Sequence, residues 1–532
     1  MKILLINPPY QTITSNYGVG HQVPLGLLMV GGPLIDAGHE VRLLDAECRR
    51  LGPGSIVDEV RRWRPDLVMT GHAGSTPAHP TCIRMLGAIK SSNPDVITVY
   101  GGVYPTYHAG RILAEAPAVD LIVRGEGEAT TLALVGALGA GGRESKGHLR
   151  GIAGIAYRDG EEVVLTVARP PMSDLDAWRV GWELIESWDD YGCFGMGRAA
   201  IVQFSRGCPH RCTYCGQHGF WVKWRHRDPA RLADEVERLY RAHGVRFVTL
   251  ADENPTTLKD EWRSFLEEMA SRKLPVRFFA TIRASDIVRD RDILPLYRDA
   301  GILYVLMGIE STSEEVLRQI RKGSTTREDF QACRLLKEHG IFSIIGHVVG
   351  FEEETWSTFG TALRQLWLYG GDYLNAMYVT PHAWTAFGEE VMGRRVVQLD
   401  QAKWDYRHQI LAQEHLRPWQ LFLAAKWLEL RFHLTPRRLW SMIAGGDRSG
   451  RRQRRWVFRH VSVVWLAEVV EFLLGTSFAD GPATFAEAGG PDRPSVPPGA
   501  GAAADVRGDL RIPGTIELES EATRGSPSAR PS

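Results

Sequence analysis

Short apolar segments alternate with amphipathic segments along the first 135 residues of the chain. KILLINPP, VRLLDAE, DLVMTGHAG, VITVYGGV and LIVRGEGE are rich in aliphatic residues, whereas SIVDEVRRWRP and TCIRMLGAIKSSN have a helical period. Strands that alternate with helices of this length predict a parallel, doubly wound sheet. Such sheets bind ligands beyond the carboxyl ends of their strands. We therefore predict an α/β domain over residues 1–135.

The same alternation returns after residue 198. Six predicted strands are AAIVQFS, VRFVTLADE, VRFFATIRAS, LYVLMGIES, FSIIGHVVGF and YLNAMYVTP. Several helices between them end in His-Gly or Ala-Gly, which is a helix C-terminal signal. Six β/α units predict a partial or full parallel barrel over residues 198–399, with its active site at the carboxyl ends of the strands.

Three further segments complete the predicted organisation. Residues 136–197 are expected to connect the two domains and to contain a hairpin that turns at Asp159-Gly160. Residues 400–479 have a helical pattern with many Trp and Arg residues. Residues 480–532 are rich in Pro, Gly, Ala and Ser and have few aromatic residues, which predicts a disordered tail.

The composition is typical of a soluble protein with two or three domains. The chain has 63 basic and 63 acidic residues among 532, so its bulk charge does not favour nucleic acid as a partner. No apolar run reaches the roughly 20 residues that a spanning helix needs. The first residues, MKILLINPPY, lack the features of a signal peptide. We therefore expect a cytoplasmic protein that binds no nucleic acid.

Three of the seven cysteines lie together in RGCPHRCTYC, directly after the first predicted barrel strand. Cys208, Cys212 and Cys215 form a C-x3-C-x2-C pattern. A structural zinc site usually has two separated pairs of ligands, and the sequence has no second pair. A redox pair needs only C-x-x-C, which leaves Cys208 unexplained. An iron–sulfur cluster on three thiolates leaves one iron open to another ligand. The pattern favours this cluster, and zinc or simple packing are the alternatives.

With an aromatic residue before its last cysteine and a β/α series after it, this stretch resembles the radical S-adenosylmethionine (SAM) superfamily. The resemblance implies that the three cysteines hold a [4Fe-4S] cluster whose open iron binds SAM. It also implies that four residues bind SAM, most of them at strand ends: Tyr214, Glu253, Arg283 and Glu310. For the strand-end residues, the alternative is a solvated charge.

The first domain resembles the cobalamin-binding module that precedes many radical SAM domains. The resemblance rests on the doubly wound sheet and on Gly-rich loops at residues 71–76 and 101–105. It implies that the tail of cobalamin lies against Gly71, Ser75, Thr76, Gly101 and Gly102. The D-x-H-x-x-G motif is absent, so no histidine is predicted as the lower cobalt ligand. A dinucleotide-binding or purely structural sheet is the alternative, although G-x-G-x-x-G is absent as well.

Over residues 1–475 the chain is similar to the anaerobic magnesium-protoporphyrin IX monomethyl ester oxidative cyclases of bacteriochlorophyll synthesis. RGEGE, QFSRGCPHRCTYCGQHGFWVKWRHRDP, LADENPT and YVTPH carry this resemblance. It implies closure of the isocyclic ring of a tetrapyrrole with oxygen from water, and a low-potential electron donor such as ferredoxin or flavodoxin. The alternatives are a cobalamin-dependent radical SAM C-methyltransferase acting on a tetrapyrrole or a hopanoid lipid, and a corrinoid- or cluster-based sensor.

A flat macrocycle with a carboxyl side chain needs aromatic walls and cationic groups. Two segments supply candidates, and these are Trp221, Trp224, Arg225 and His226 beyond the cysteine loop, and Tyr378 and His382 at the end of the sixth strand. Ordinary core aromatics and surface arginines are the alternative for each, and the sequence identifies no catalytic residue. The basic stretch 448–460 has two interpretations, a peripheral contact with an anionic membrane or a solvated helix face.

Overall fold

The computed structural model describes residues 1–11, 20–72, 76–141, 146–443, 448–478 and 481–489. Ser75, one of the predicted cobalamin contacts, lies outside the described residues, as does the chain from residue 490 onward. None of the helices in the described part of the chain is both long and apolar enough to cross a bilayer.

The first domain contains a seven-stranded sheet with apolar side chains on both faces. Its strands in chain order are β1 (Lys2–Asn7), β2 (Glu40–Asp45), β3 (Leu67–His72), β4 (Ile97–Gly102), β5 (Leu121–Val123), β6 (Ile155–Asp159) and β7 (Glu162–Leu165). Their order across the sheet is β2-β1-β3-β4-β5-β6-β7. The first five pair in parallel, and β6 and β7 add to the edge as an antiparallel hairpin. Ile3 and Leu5 pack on one face, while Leu4 and Ile6 pack on the other.

Helices cover this sheet, as the doubly wound pattern predicts. They are α1 (Leu25–Asp36), α2 (Pro53–Trp63), α3 (His79–Ser92), α4 (Val103–Tyr107), α5 (Ala109–Glu115), α6 (Gly127–Gly141) and α7 (Lys146–Leu149). The predicted turn at Asp159-Gly160 is present, with Gly160 at a φ of +66°. However, the hairpin pairs with the edge of the first sheet, so this sheet extends beyond the predicted boundary at residue 135. A short apolar hairpin gains stability by pairing with an existing sheet edge, and the sequence alone does not indicate which edge.

The second domain is an open barrel of six parallel strands that follow one another in chain order. The strands are β8 (Ala199–Val202), β9 (Phe247–Leu250), β10 (Arg277–Thr281), β11 (Ile302–Glu310), β12 (Phe342–Val349) and β13 (Tyr373–Tyr378). Helices α8 (His218–Trp221), α9 (Pro229–His243), α10 (Lys259–Arg272), α11 (Ala284–Arg289), α12 (Leu294–Ala300), α13 (Glu314–Gln319), α14 (Thr326–Glu338), α15 (Trp356–Tyr369) and α16 (Ala386–Glu390) lie between and after them.

Local sequence signals set the ends of these helices. The Asp228 side chain accepts a hydrogen bond from the Arg231 amide and caps α9, which ends at Gly244 in the left-handed conformation. Thr325 and Glu328 form a reciprocal capping box at the start of α14. One continuous core, which includes Leu5 of the first sheet and Val202 of the barrel, joins the two domains.

The C-terminal region is helical only in part. Helices α17 (Pro418–His433), α18 (Pro436–Ile443) and α19 (Arg448–Leu473) follow an irregular stretch from residue 400 to 417. Helix α20 (Phe485–Gly489) lies inside the segment that the sequence predicted to be disordered. Its Phe485 side chain is fully buried and stacks on Trp404 with 5.6 Å between ring centroids. Composition does not reveal one buried aromatic side chain, so the start of the disordered tail was predicted too early.

Candidate functional site

The cysteine loop leaves the carboxyl end of β8 and is closed by a short antiparallel pairing. Ser205–Arg206 pairs with Arg225–His226, and the loop lies between them. Gly207 has a φ of +92°, and a Cβ there would lie 2.7 Å from the Lys223 carbonyl oxygen, so only glycine fits this turn. The Thr213 amide donates to the Ile320 carbonyl at 3.0 Å, which ties the loop to the chain beyond β11.

The three cysteines of this loop form no disulfide, and each is only partly buried. In the part of the chain that the structure describes, no group of three or more His, Cys, Asp or Glu side chains is arranged to hold a metal ion as it stands. Burial raises the pKa of Cys208 to about 11, and the nearby Arg283 guanidinium opposes this rise. Three thiols on one loop beside a cation suit a thiolate-bound cluster, because positive charge stabilises the deprotonated ligands.

Two acidic residues at the end of β9 hold the start of the loop. Asp252 accepts hydrogen bonds from the Phe204 amide at 3.0 Å and from the Ser205 hydroxyl at 2.6 Å. Glu253 accepts from the Gly207 amide at 3.2 Å, directly before the first cysteine. Burial, helped by the neighbouring Asp252 charge, raises the pKa of Glu253 to about 7. The predicted SAM contact Glu253 therefore lies against the cysteine loop.

Glu310 ends β11 at a φ of +65°, which a residue with a side chain rarely adopts. Its carboxylate accepts a hydrogen bond from the Lys322 ammonium at 2.8 Å, and both side chains are buried. Burial and the Glu310 charge raise the pKa of Tyr214, whose hydroxyl also donates a hydrogen bond to the Glu310 carboxylate. The structure thus brings Tyr214 and Glu310 together, and Lys322 is a partner that the sequence prediction missed.

Arg283 approaches the same place from the end of β10. Its guanidinium donates to the Lys322 carbonyl, while its Nε atom is buried without a hydrogen-bond partner among the described residues. The Asn254 side-chain amide nitrogen is also buried without a hydrogen-bond partner among the described residues. Buried donors normally have partners, so these two are available to an acceptor from a bound molecule. Three of the predicted SAM contacts, Glu253, Arg283 and Glu310, therefore border the cysteine loop that contains the fourth, Tyr214.

The predicted cobalamin loops lie at the carboxyl ends of β3 and β4. A Cβ at Gly71 would lie 2.8 Å from the Gly101 carbonyl oxygen, and Gly102 has a φ of +107°. Gly101 itself has more room, since an added Cβ would come no closer than 3.6 Å to the neighbouring strand. Thr76 is buried at the start of a short 3-10 helix. The glycines keep side chains out of this edge, which leaves bare backbone for a large ligand.

An aromatic wall joins the two domains beside these loops. Trp384 stacks on Tyr107 of α4 at 4.8 Å, and its indole N–H donates to the Gly216 carbonyl of the cysteine loop at 2.8 Å. The Tyr107 hydroxyl and the His108 Nδ1 atom are buried and have no hydrogen-bond partner in the described ranges. The loops of both domains therefore border one region that offers unpaired polar groups.

His382 and Tyr406 form a pair on the barrel side of this region. The His382 Nε2 atom lies 2.9 Å from the Tyr406 hydroxyl, and burial lowers the pKa of His382 to about 4. Tyr406 has a φ of +68° and is 41% exposed. Sequence reasoning selected His382 but missed Tyr406, which lies in an irregular stretch where no sequence motif marks it.

The remaining predicted substrate residues have other neighbours. Arg225 forms an ion pair with Glu126 at 2.7 Å and donates to the Met172 carbonyl at 2.6 Å, so its charge is already neutralised. Tyr378 lies in the core cluster that includes Leu421 of α17, on the helix side of the barrel wall. Alternation along β13 decides this direction, and the substrate prediction for Tyr378 placed it on the wrong face.

The segment after the cysteine loop divides between two places. Trp224 donates to the Asn254 carbonyl at 3.0 Å and stacks on His226 at 5.2 Å. The His226 Nδ1 atom lies 3.8 Å from Glu261 of α10, which takes this histidine toward the outer helices. Trp221 lies under the Arg206 guanidinium at 5.2 Å and close to the cysteine loop. Of this segment, Trp221 is the residue best placed to border the site.

Comparison with known proteins agrees with this arrangement. Residues 202–366 match the model of the radical SAM superfamily, and residues 15–135 match that of the B12 binding domain. The chain is 46% identical over 475 residues to the anaerobic magnesium-protoporphyrin IX monomethyl ester cyclase of Synechocystis sp.. This match covers 89% of this chain and 94% of that protein. A protein of the same name from Rubrivivax gelatinosus is 35% identical over 410 residues, with 76% and 72% of the two chains covered.

Among solved structures, the chain resembles the radical S-adenosylmethionine methyltransferase TsrM from Kitasatospora setae. The TM-score is 0.65 at 17% sequence identity, and the match covers 82% of this chain and 89% of that one. At this level of identity the likeness shows the fold.

Proposed function

The chain belongs to the family of anaerobic magnesium-protoporphyrin IX monomethyl ester cyclases, which are cobalamin-dependent radical SAM enzymes, and we propose that it closes the isocyclic ring of this ester with oxygen from water. Its cofactors are a [4Fe-4S] cluster, SAM and cobalamin. When bound, these groups supply a radical able to abstract hydrogen from an unactivated C–H bond and a second redox centre. The residues of the chain bind and orient them.

One observation carries the proposal. Trp384 touches Tyr107 of the first domain and Gly216 of the cysteine loop at the same time, so the two cofactor sites share a wall. A reaction that uses both cofactors on one substrate requires the two cofactor sites to lie side by side. A flat macrocycle fits between aromatic surfaces, and Trp384, Tyr406 and Trp221 supply them here.

We assign the binding of SAM to the groups around the cysteine loop. Cys208, Cys212 and Cys215 hold the cluster and leave one iron open. The unpaired Nε donor of Arg283 suits a carboxylate, and the Glu310 carboxylate, fixed by Lys322, suits hydroxyl or amino groups. Glu253 is protonated over part of the neutral range because its pKa is near 7, which allows it to donate as well as accept.

We assign substrate positioning to the His382–Tyr406 pair. The pKa of His382 is about 4, so this histidine is neutral at pH 7 and one of its nitrogens can accept a hydrogen bond or bind magnesium. Its Nδ1 atom has no hydrogen-bond partner in the described residues, and the bond from Nε2 to Tyr406 fixes the ring. A low-potential electron donor such as ferredoxin or flavodoxin supplies the electrons that the cleavage of SAM requires. The substrate is a tetrapyrrole.

The test is an anaerobic incubation of the reconstituted full chain with magnesium-protoporphyrin monomethyl ester, SAM, cobalamin and a low-potential reductant, followed by mass analysis. The proposal expects a cyclised product with one oxygen from labelled water, and 5′-deoxyadenosine. Cys212→Ala should abolish both, and Cys48→Ala, a partly buried thiol of the first domain, serves as the matched control.

Two outcomes would replace the proposal. Transfer of a labelled methyl group from SAM to the product would identify a cobalamin-dependent C-methyltransferase instead. Reduced, cluster-loaded protein that forms no 5′-deoxyadenosine with any tetrapyrrole would favour a sensor.

A further inference from the structure

Helix α17 exposes a continuous apolar stripe to solvent. Its members, with Leu434 directly after the helix, recur every three or four residues, and each is at least 38% exposed: Trp419, Leu423, Trp427, Leu430 and Leu434. Because 3.6 residues make one helical turn, these side chains lie along one face. The opposite face, with Leu421 and Leu428, is buried against the barrel. The stripe is therefore additional to the face that the fold needs for packing.

Helix α19 exposes a second stripe of the same kind. Its members are Val463, Leu466, Val470 and Leu473, with exposed fractions of 43%, 56%, 52% and 75%. Phe472 of α19 stacks on Phe422 of α17 at 4.2 Å, so the two helices pack together beneath their exposed faces. Trp440 of α18 is 67% exposed next to them. Clustered apolar exposure of this extent usually marks an interaction surface.

The charges of α17 and α19 have one sign on the outside. All three carboxylates of these helices form internal ion pairs: Glu429 and Glu468 with Lys426, and Glu471 with Lys403 and His408. Exposed side chains include Arg431, Arg455 and Arg459. The surface therefore combines apolar stripes with arginines and has no outward carboxylate on these two helices within their described residues.

A cavity of about 770 Å³ lies behind this surface, between α17, α18 and α19 and the amino ends of β12 and β13. Leu430 and Leu434 of the first stripe and Leu466 of the second line it, together with Phe458 and Trp465. It lies at the opposite end of the barrel from the cysteine loop. The two stripes thus meet at the mouth of one cavity, whose lining is mainly apolar and also includes the ion-paired Arg407, Glu429 and Glu468.

We propose that the C-terminal helices α17, α18 and α19 dock this protein on the surface of an anionic lipid bilayer, with an acyl chain entering the cavity between them. Apolar side chains and Trp enter the interface, and arginines bind lipid phosphates. A second copy of the chain fits less well. A two-fold interface would place the arginines of one copy near those of the other, without outward carboxylates on these helices to pair with them.

The inference does not depend on the proposed reaction, because binding is measured without turnover. Full-length protein is mixed with vesicles of phosphatidylglycerol or phosphatidylcholine and sedimented. We expect binding to the anionic vesicles that is at least tenfold stronger than to the neutral ones and that weakens with added salt. Equal binding to both lipids, or none to either, would overturn the proposal.

Variants test the surface directly. Trp427→Gln/Leu430→Gln should reduce binding to anionic vesicles at least tenfold, and Arg431→Gln/Arg459→Gln should reduce both the binding and its salt dependence. Val167→Gln/Leu258→Gln removes two exposed apolar side chains elsewhere and should bind like the unmodified chain. Circular dichroism verifies that each variant is folded. Unchanged binding by Trp427→Gln/Leu430→Gln, or a concentration-dependent dimer that this variant abolishes, would refute membrane docking.

Discussion

Removing Arg206 is expected to loosen the contact between the two domains. This guanidinium is 4% exposed and lies at 3.1 Å from Glu126 and 2.5 Å from Glu128, both in the RGEGE segment of the first domain. Arg225 pairs with Glu126 from the other side at 2.7 Å. Two arginines that flank the cysteine loop thus neutralise two buried carboxylates from the first domain.

The magnitude follows from what each substitution leaves behind. In Arg206→Met, Glu126 keeps Arg225, but Glu128 loses the ion pair described for it while it stays buried. An uncompensated buried charge of this kind costs about 3–5 kcal/mol. Arg198 is a matched control, since its side chain is 40% exposed and its partner Asp189 is 76% exposed. Arg198→Met should leave the free energy of unfolding almost unchanged, because exposed ion pairs contribute little.

The assay is urea denaturation of the full chain under anoxic conditions, followed by near-UV circular dichroism, with cobalamin retention on gel filtration as a second measurement. Arg206→Met should lower the transition midpoint clearly and release cobalamin, whereas Arg198→Met should change neither. Arg206→Met/Glu128→Gln should recover part of the loss, because it removes the unpaired charge. Equal effects of the two single substitutions, or a double variant no better than Arg206→Met, would refute the reasoning.

Four further outcomes are expected. Cys212→Ala should remove the visible absorbance of the cluster and all SAM cleavage in reconstituted protein, because two thiolates cannot hold the cluster. Gly102→Val should impair cobalamin retention and spare cluster absorbance, since φ at this position is +107°. Deleting residues 490–532 should leave turnover and melting temperature unchanged, whereas deleting 481–532 should lower the melting temperature by several degrees, because it removes a buried aromatic anchor. Burial lowers the pKa of His408, but its two carboxylate partners outweigh this effect and raise the pKa to about 9. The stabilising contribution of His408 is therefore complete below about pH 6.5 and is lost as the pH rises through 9. His408→Gln should flatten the dependence of the melting temperature on pH across that window, and an unchanged profile would contradict the pairing.

The periodic pattern predicted both sheets because a buried parallel strand must be apolar along its length and each helix must be apolar on one face. The boundaries of the domains were harder to predict from the sequence. The hairpin of β6 and β7 looks like a connector in sequence, since nothing in its own residues indicates that it extends a neighbouring sheet. Helix α20 was missed for a related reason: Phe485 is the only large buried side chain among its described residues, and composition does not reveal it.

The site was predictable where its chemistry is local. Three thiols within eight residues must share one loop, and groups that end parallel strands must meet at one edge, so Cys208, Glu253 and Glu310 came together as expected. Lys322 was not found, because it reaches Glu310 from a turn after α13 that carries no motif.

The sequence by itself therefore determined the two-module order and placed the three cysteines and the strand-end acids at one end of the barrel, because these depend on spacing and period within short segments. Only the tertiary structure decided which partners these side chains have. Tyr406 lies beside His382, Tyr378 packs against the helices, and Arg225 is paired with Glu126. Each of these contacts joins segments far apart in the chain, so it follows from packing and not from any local pattern.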